Sequence, residues 1–409
     1  MLIDKTTQKP LSTSKEVTTL PLIEDDLLTS DVSYQLATET LNNDGVCYDE
    51  YGLYTDDYNI DAIFYDGYND TKVFAYIGYP KAASETNKVP AMVLLHGGLG
   101  KAERYWVEKW NKLGFAAIAM DLYGRGPEND SSTSSGKKQH PYAGVTPYAV
   151  PSSFLADIEN AGMYQNLVAV INAHNLLRDS GKVDTSNVGI TGISWGGVTT
   201  TTVIGVDNRF KFAAPVYGCG FLDQSRTYFS SAFSDQAATI LWDPANFAAK
   251  ADIPVLYVNG DTDANFSVNA TSLTKGVTKN ARMSIIHDFA HDQPHGDSVE
   301  LVYAFAKSMV EGTDPFVTIS DESAENGTFS ANVDIPEGTE VSSVIMYYIT
   351  SDILAFGGGN ETIGWQSTTE YTLNDNALNM PIPEDATHLY VSITDQNGYI
   401  ISSEFVKIK

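Results

Sequence analysis

The stretch NVGITGISWGGVTT, residues 187–200, sets Gly192-Ile193-Ser194-Trp195-Gly196 where a β-rich run, Val188 to Thr191, gives way to a helix. This is the G-x-S-x-G pattern of a nucleophile elbow, in which a serine on a tight strand-to-helix turn projects its Oγ above a sheet. Gly192, Gly196 and Gly197 let the backbone turn sharply and let strand and helix pack closely. Five residues of loose pattern also fit a glycine-rich turn with an incidental serine. The surrounding chain decides between the two.

Working outward, Ala91 to Leu95 reads as a buried strand, Ala102 to Leu113 as a helix closed by Gly114, and Phe115 to Met120 as the next strand. Strand, helix and strand in that order make a parallel βαβ unit. Before it, Ile60 to Tyr65 and Val73 to Tyr79 read as a β-hairpin around the turn-rich DGYND. Asp121 to Phe154 reads as a long Gly/Pro/Ser-rich loop, and Ala156 to Ser180 as a helix. After the elbow come a helix through Val206, a strand at Phe212 to Val216, an aromatic-rich excursion from Phe221 to Lys250, and the strand Pro254 to Val258. Met283 to His287 and a helix from Ser298 to Val310 then complete a doubly wound, mostly parallel α/β sheet with helices on both faces.

From Pro315 the pattern changes to short alternating runs, such as Val344 to Ile349 and Leu389 to Ile393, with a hairpin turn at Gln396-Asn397-Gly398. The expected organisation is an N-terminal arm over 1–58, a catalytic domain over 59–313, and an antiparallel β-sandwich of immunoglobulin or fibronectin-III type over 314–409. No internal repeat is visible.

A serine nucleophile needs a base and a group that orients the base, and on an elbow scaffold the chain order is Ser, then Asp or Glu, then His. The strand Pro254 to Val258 runs into Asn259-Gly260-Asp261-Thr262-Asp263, and Asp263 fits the G-x-x-D spacing; Asp261 reads as a solvated turn residue. Three histidines follow, His287, His291 and His295. His291 falls in the loop before the last helix, His287 reads as strand packing, and His295 is the fallback. They share one short loop without H-E-x-x-H spacing, so a metal site is not expected. His96-Gly97-Gly98-Leu99-Gly100 follows the first parallel strand and supplies the oxyanion hole, with N–H donors from Trp195 and from Gly98 or Leu99; His96 itself reads as structural.

These residues resemble the α/β-hydrolase superfamily, and within it the acetyl xylan esterase and dienelactone-hydrolase-like bacterial carbohydrate esterases. The resemblance covers roughly 60–312 and rests on HGGLG, WVEKWNKLGFAAIAMDLYGRGP, TGISWGG, APVYGCGF, PVLYVNGDTD and HDFAHD. It implies catalytic roles for Ser194, Asp263 and His291, and hydrolysis of small acyl esters on sugars without cofactor or metal. The chain departs from the pattern at NGDTDANF, where two aspartates crowd the acid position. The substrate pocket is expected to be walled by Phe221, Tyr228 and Trp242, whose rings either stack on sugar or fill the core beneath a lid.

Composition narrows the partners. With 25 Lys and Arg against 52 Asp and Glu, the formal charge of −27 disfavours nucleic acid and anionic membrane. No apolar run approaches the roughly 18 residues of a membrane helix. Two cysteines, Cys47 and Cys219, support neither a disulfide scaffold nor a zinc site. The N-terminus lacks a signal-peptide apolar core, and the acidic, lysine-poor composition favours a secreted or surface protein written without its signal over a cytoplasmic one. The alternatives are a prolyl-oligopeptidase-type peptidase, for whose N-terminal propeller the chain has no room, and a non-catalytic glycan-binding protein on the same scaffold. With every catalytic candidate before residue 300, truncation after Gly312 is expected to spare the chemistry, provided that the sandwich does not cover a large apolar face.

Overall fold

The apolar runs on either side of the elbow line up side by side, because strands buried on both faces need no polar alternation. The computed structural model describes residues 23, 26–37, 40–41, 46–47, 53–54, 58–124, 126, 140, 143, 161–225, 227–233, 236–350, 364–373 and 376–408. Most of the expected N-terminal arm and of the Asp121 to Phe154 loop lies outside them.

Ten strands among the described residues form the main sheet: β1 Tyr34–Leu36, β2 Leu53–Tyr54, β3 Tyr58–Asp66, β4 Lys72–Pro80, β5 Val89–Leu95, β6 Ala116–Met120, β7 Val183–Ile193, β8 Phe212–Val216, β9 Pro254–Gly260 and β10 Asn280–Ile286. Their spatial order is β1-β3-β4-β6-β5-β7-β8-β9-β10, with β2 on β3. The strands from β6 to β10 run parallel and the N-terminal ones antiparallel. The elbow strand β7 is central, between β5 and β8, so its C-terminal end opens onto the sheet's carboxyl edge, where ligands of open α/β sheets bind.

Local chemistry sets the helix ends. Helix α1, Arg104–Lys112, buries Trp106, Val107 and Trp110 along one stripe. It stops because Gly114 adopts φ 88°, while the Gly114 and Phe115 N–H groups donate to the carbonyls of Asn111 and Trp110 at 3.0 and 3.1 Å. That is a Schellman ending, with Phe115 packed on Trp110 at 5.4 Å as its apolar contact. Helix α2, Gly162–Asp179, is the expected long helix after the loop, and α3, Trp195–Val203, leaves the elbow. Helices α4, Val268–Val277, and α5, Glu300–Glu311, flank the far end of the sheet.

Beyond α5, which ends at Gly312 in the left-handed region, the chain is all antiparallel β. Strands β11 Thr318–Glu325, β12 Thr328–Asp334 and β15 Ala377–Pro381 form one sheet; β13 Val341–Ile349, β14 Gln366–Ser367, β16 His388–Asp395, β17 Ile400–Ser402 and β18 Val406–Lys407 form the other. This is the expected sandwich. It sits against the edge strand β10 and helix α4, covering an edge that would otherwise present unpaired backbone groups. Ile285 N–H donates to Ser402 Oγ at 3.0 Å, Phe405 N–H to Ser272 Oγ at 2.9 Å, and Lys275 pairs with Glu404 at 2.8 Å. Val268, Met283, Ile285 and Tyr390 make an apolar cluster across the seam, with Tyr347, Trp365 and Phe405 packed on it.

The seam also buries a carboxyl. Burial pushes Glu322 up to about 7, against the Glu404 N–H bond and nearby Lys275, which lower it. A carboxyl raised in the folded state binds its proton more tightly there than when unfolded, so stability falls as pH rises from about 4.5 through about 7. We expect the melting temperature to drop between pH 5 and pH 8, and Glu322→Gln to remove part of that drop; an identical pH dependence in the variant would contradict the assignment.

Candidate active site

Ser194 occupies φ 55°, ψ −114°, a strained conformation for a residue with a side chain, as an elbow requires. Two contacts lock it: Ser194 N–H donates to Val216 O on β8 at 2.8 Å, and its carbonyl accepts from Val198 N–H at 2.9 Å inside α3. The flanking glycines are there for space. A Cβ at Gly192 would stand 2.2 Å from Gly196 O, and one at Gly196 would stand 2.1 Å from Leu95 O. Strand, helix and the loop after β5 approach more closely than any side chain allows.

The two carboxyl-edge loops after β9 and β10 converge on this serine. His291 Nε2 lies 2.8 Å from Ser194 Oγ, and His291 Nδ1 lies 2.6 Å from Asp263 Oδ2. Asp263 is buried, and its other oxygen accepts from the N–H groups of Asn265 at 2.7 Å and Phe266 at 3.0 Å. Three donors thus fix the carboxylate: with Oδ1 held by two backbone N–H groups, Oδ2 is left for the imidazole. The ring of His291 is stacked between Tyr217, at 4.5 Å, and Phe266, at 5.9 Å, and is 23% exposed. Tyr217 in turn donates its hydroxyl to Ala290 O, pinning the histidine loop.

The oxyanion candidates lie at a helix start and after a strand end. Trp195 opens α3, so its N–H lies at the positive end of the helix dipole. Gly98 and Leu99 follow β5, with Leu99 in the left-handed region at φ 65° and its side chain 47% exposed. His96 is structural: its Nδ1 donates to Gly97 O at 2.6 Å, while Nε2 accepts from Leu122 N–H at 2.9 Å. His295 turns away to Asp292, at 2.7 Å, leaving the serine to His291. Cys219 is buried, its thiol pushed well above the usual range by burial, which suits a packing residue and not a nucleophile.

Three expectations change. Asp261 is not solvated but fully buried, at 0% exposure, with its carboxylate accepting from His287 Nδ1 at 2.6 Å, Asp288 N–H at 3.0 Å and Tyr390 OH at 3.0 Å. His287 is accordingly a partner of Asp261 just past the end of β10, and not a packed strand residue. The sandwich contributes to the cover over Asp261 through Tyr390. Phe221 and Trp242, at 3% and 4% exposure, belong to the core, not to an open pocket wall. Asp243 fixes their segment by accepting from Phe221 and Leu222 N–H at 2.8 and 3.0 Å. The Tyr228 side chain lies outside the described residues. What spacing missed was Tyr217 and Phe266, the aromatic walls of the histidine; the APVYGCGF and NGDTDANF stretches carried them without marking their role.

Residues 73–296, more than half of the chain, match the dienelactone hydrolase family. The chain belongs to that family. A Methylorubrum extorquens protein bearing the provisional name carboxymethylenebutenolidase is 27% identical over 157 residues, which cover 38% of this chain and 45% of that protein. The chain thus matches less than half the length of that relative. Among solved structures, an acetyl xylan esterase from Paenibacillus sp. R4 superposes with TM-score 0.54 at 18% identity, over 69% of this chain and 91% of that one. Acetyl xylan esterase 1 from Thermoanaerobacterium sp. JW/SL YS485 gives the same TM-score at 17% identity, over 71% and 95%. These likenesses establish the α/β-hydrolase fold.

The close approach at the elbow makes a testable demand. Gly196→Ala should destabilise the protein by about 1–3 kcal/mol or more, the cost of overpacking against backbone that has no rotamer to yield. Chemical denaturation read beside Ser194→Ala checks it, since the serine variant removes only a hydroxyl and should unfold near wild type.

Proposed function

We propose that the protein is a serine esterase that hydrolyses small acyl esters, acetyl groups on carbohydrate foremost, through Ser194, His291 and Asp263. The reading is carried by the continuous hydrogen-bonded line from Ser194 Oγ through His291 to Asp263, at 2.8 and 2.6 Å. Ser194 Oγ attacks the ester carbonyl as His291 Nε2 takes its proton; Asp263 accepts from Nδ1–H, holding the tautomer and stabilising the imidazolium. The tetrahedral oxyanion sits against the N–H groups of Trp195 and of Gly98 or Leu99. Collapse expels the alcohol, protonated by His291, and leaves an acyl-serine. Water, deprotonated by the same nitrogen, attacks the acyl carbonyl; release of the carboxylic acid restores the serine.

The acyl and sugar preference draws on the activity named for the two xylan esterases of like fold, and on an acidic composition suited to work outside the cell. The family match and the relative's name favour a second substrate class, an enol lactone, for the same nucleophile.

Ser194→Ala should abolish turnover of p-nitrophenyl acetate without changing the melting curve; activity within tenfold of wild type would end the assignment of this serine. Asp263→Asn should lower kcat by about 10⁴ through loss of the tautomer. A series of p-nitrophenyl esters from acetate to octanoate, run beside acetylated xylan and a dienelactone, decides the substrate: acetate and xylan are expected to lead, and equal or faster octanoate would point to a general carboxylesterase.

A further inference from the structure

The seam between sandwich and sheet ends on the turn that carries the triad's acid. Asp261 lies two residues before Asp263, on the turn leaving β9, and its buried carboxylate is costly unless donors surround it. Tyr390 OH, on β16 of the sandwich, gives Oδ2 one bond at 3.0 Å, and His287 Nδ1 gives it another at 2.6 Å. The indole N–H of Trp365, also in the sandwich, donates to the Asp261 backbone carbonyl at 2.7 Å. An aromatic stack backs these donors: Trp365 stands edge-on to Tyr390 at 5.1 Å, Tyr390 stacks on Tyr347 at 5.1 Å, and Tyr347 faces His287 at 4.8 Å.

The turn also draws support from outside itself. Its own closing bond, from Asp263 N–H to Gly260 O, is 3.4 Å long, at the weak end of the range. Asp261 is also bonded to His287 and Asp288, which begin the segment leading to His291. One carboxylate therefore joins three pieces: the acid's turn, the base's loop and the sandwich.

We propose that the C-terminal sandwich is a positioning element of the active site, with Tyr390 and Trp365 clamping Asp261 so that the turn after it aims Asp263 at His291. This rests on the reading of Ser194, His291 and Asp263 as a catalytic triad. Neither sandwich residue touches a reacting atom; both act through Asp261. Displacements near 1 Å in such a constellation cost up to about 10²-fold in rate.

The test is made on the full chain with p-nitrophenyl acetate. Tyr390→Phe deletes the hydroxyl and keeps the stacked ring; kcat should fall about tenfold, with KM within twofold of wild type. In an Asp263→Asn background the same change should cost nothing further, because the group it positions is already disabled. Wild-type kcat in Tyr390→Phe, or a tenfold loss that persists undiminished in the Asp263→Asn background, overturns the proposal. If Tyr390→Phe does not fold, Trp365→Phe, which keeps an aromatic ring but removes the N–H donor to the Asp261 carbonyl along with part of the indole's packing, is read by the same two criteria. Ser194→Ala separates the layers. An active Ser194→Ala protein defeats the triad itself, whereas an inactive one beside a fully active Tyr390→Phe protein defeats only the role of the sandwich.

Discussion

Ser194 is held at positive φ on a turn that three backbones crowd, and the geometry of the site depends on keeping it there. A non-glycine residue in that region carries strain on the order of 1–3 kcal/mol, which persists only where the surroundings over-determine it. Here they do. β8 accepts its N–H, α3 accepts its place as the residue before the first turn, and the carbonyls of Leu95 and His96 lie against Gly196 so closely that the helix cannot retreat. The result is a hydroxyl raised off the sheet beside a helix N-terminus, with partial positive charge waiting where an oxyanion would form.

The rest of the site is then a matter of bringing two loops to that hydroxyl, and the sheet does so by order. β9 and β10 are the last two parallel strands, so their C-terminal loops lie on the same edge as the elbow, and Asp263 and His291 reach the serine from adjacent strands. Chain order and spacing made Ser194, Asp263 and His291 legible, because each sits at a strand end whose apolar run is readable locally. The glycine-bearing HGGLG segment was legible for the same reason.

What stayed hidden was whatever depended on distant chain. Asp261 looks like a turn residue within NGDTD; it is buried because Tyr390 and Trp365, more than a hundred residues later, close over it. Phe221 and Trp242, within a loop-like excursion, fit either a pocket wall or the core beneath a lid; Asp243 fixes the segment's backbone, and both residues are buried. The alternating pattern after Pro315 announces a sandwich but not the face it presents. Its inward and seam-facing residues are alike apolar, and only the packing of Tyr390 beside Met283 and Ile285 separates them. The condition attached to truncation, that no large apolar face be covered, is where local reading stopped.

Partner geometry also sets one histidine apart from the others. His96, His174, His287 and His295 each bring a ring nitrogen to a carboxylate, at 3.5, 3.0, 2.6 and 2.7 Å, so an aspartate partner by itself distinguishes nothing. The second nitrogen decides. In His96 it is the carboxylate-facing Nε2 that also takes Leu122 N–H, and Nδ1 is spent on Gly97 O; His174 is sealed in the core, where burial holds it below its usual pKa; His287 Nε2 faces another carboxylate, Asp288, at 3.6 Å. His291 has a buried aspartate on one nitrogen and a serine hydroxyl on the other, with aromatic rings on both faces to keep its plane. A base needs that asymmetry: a fixed acceptor behind it to set the tautomer, and a transferable proton in front.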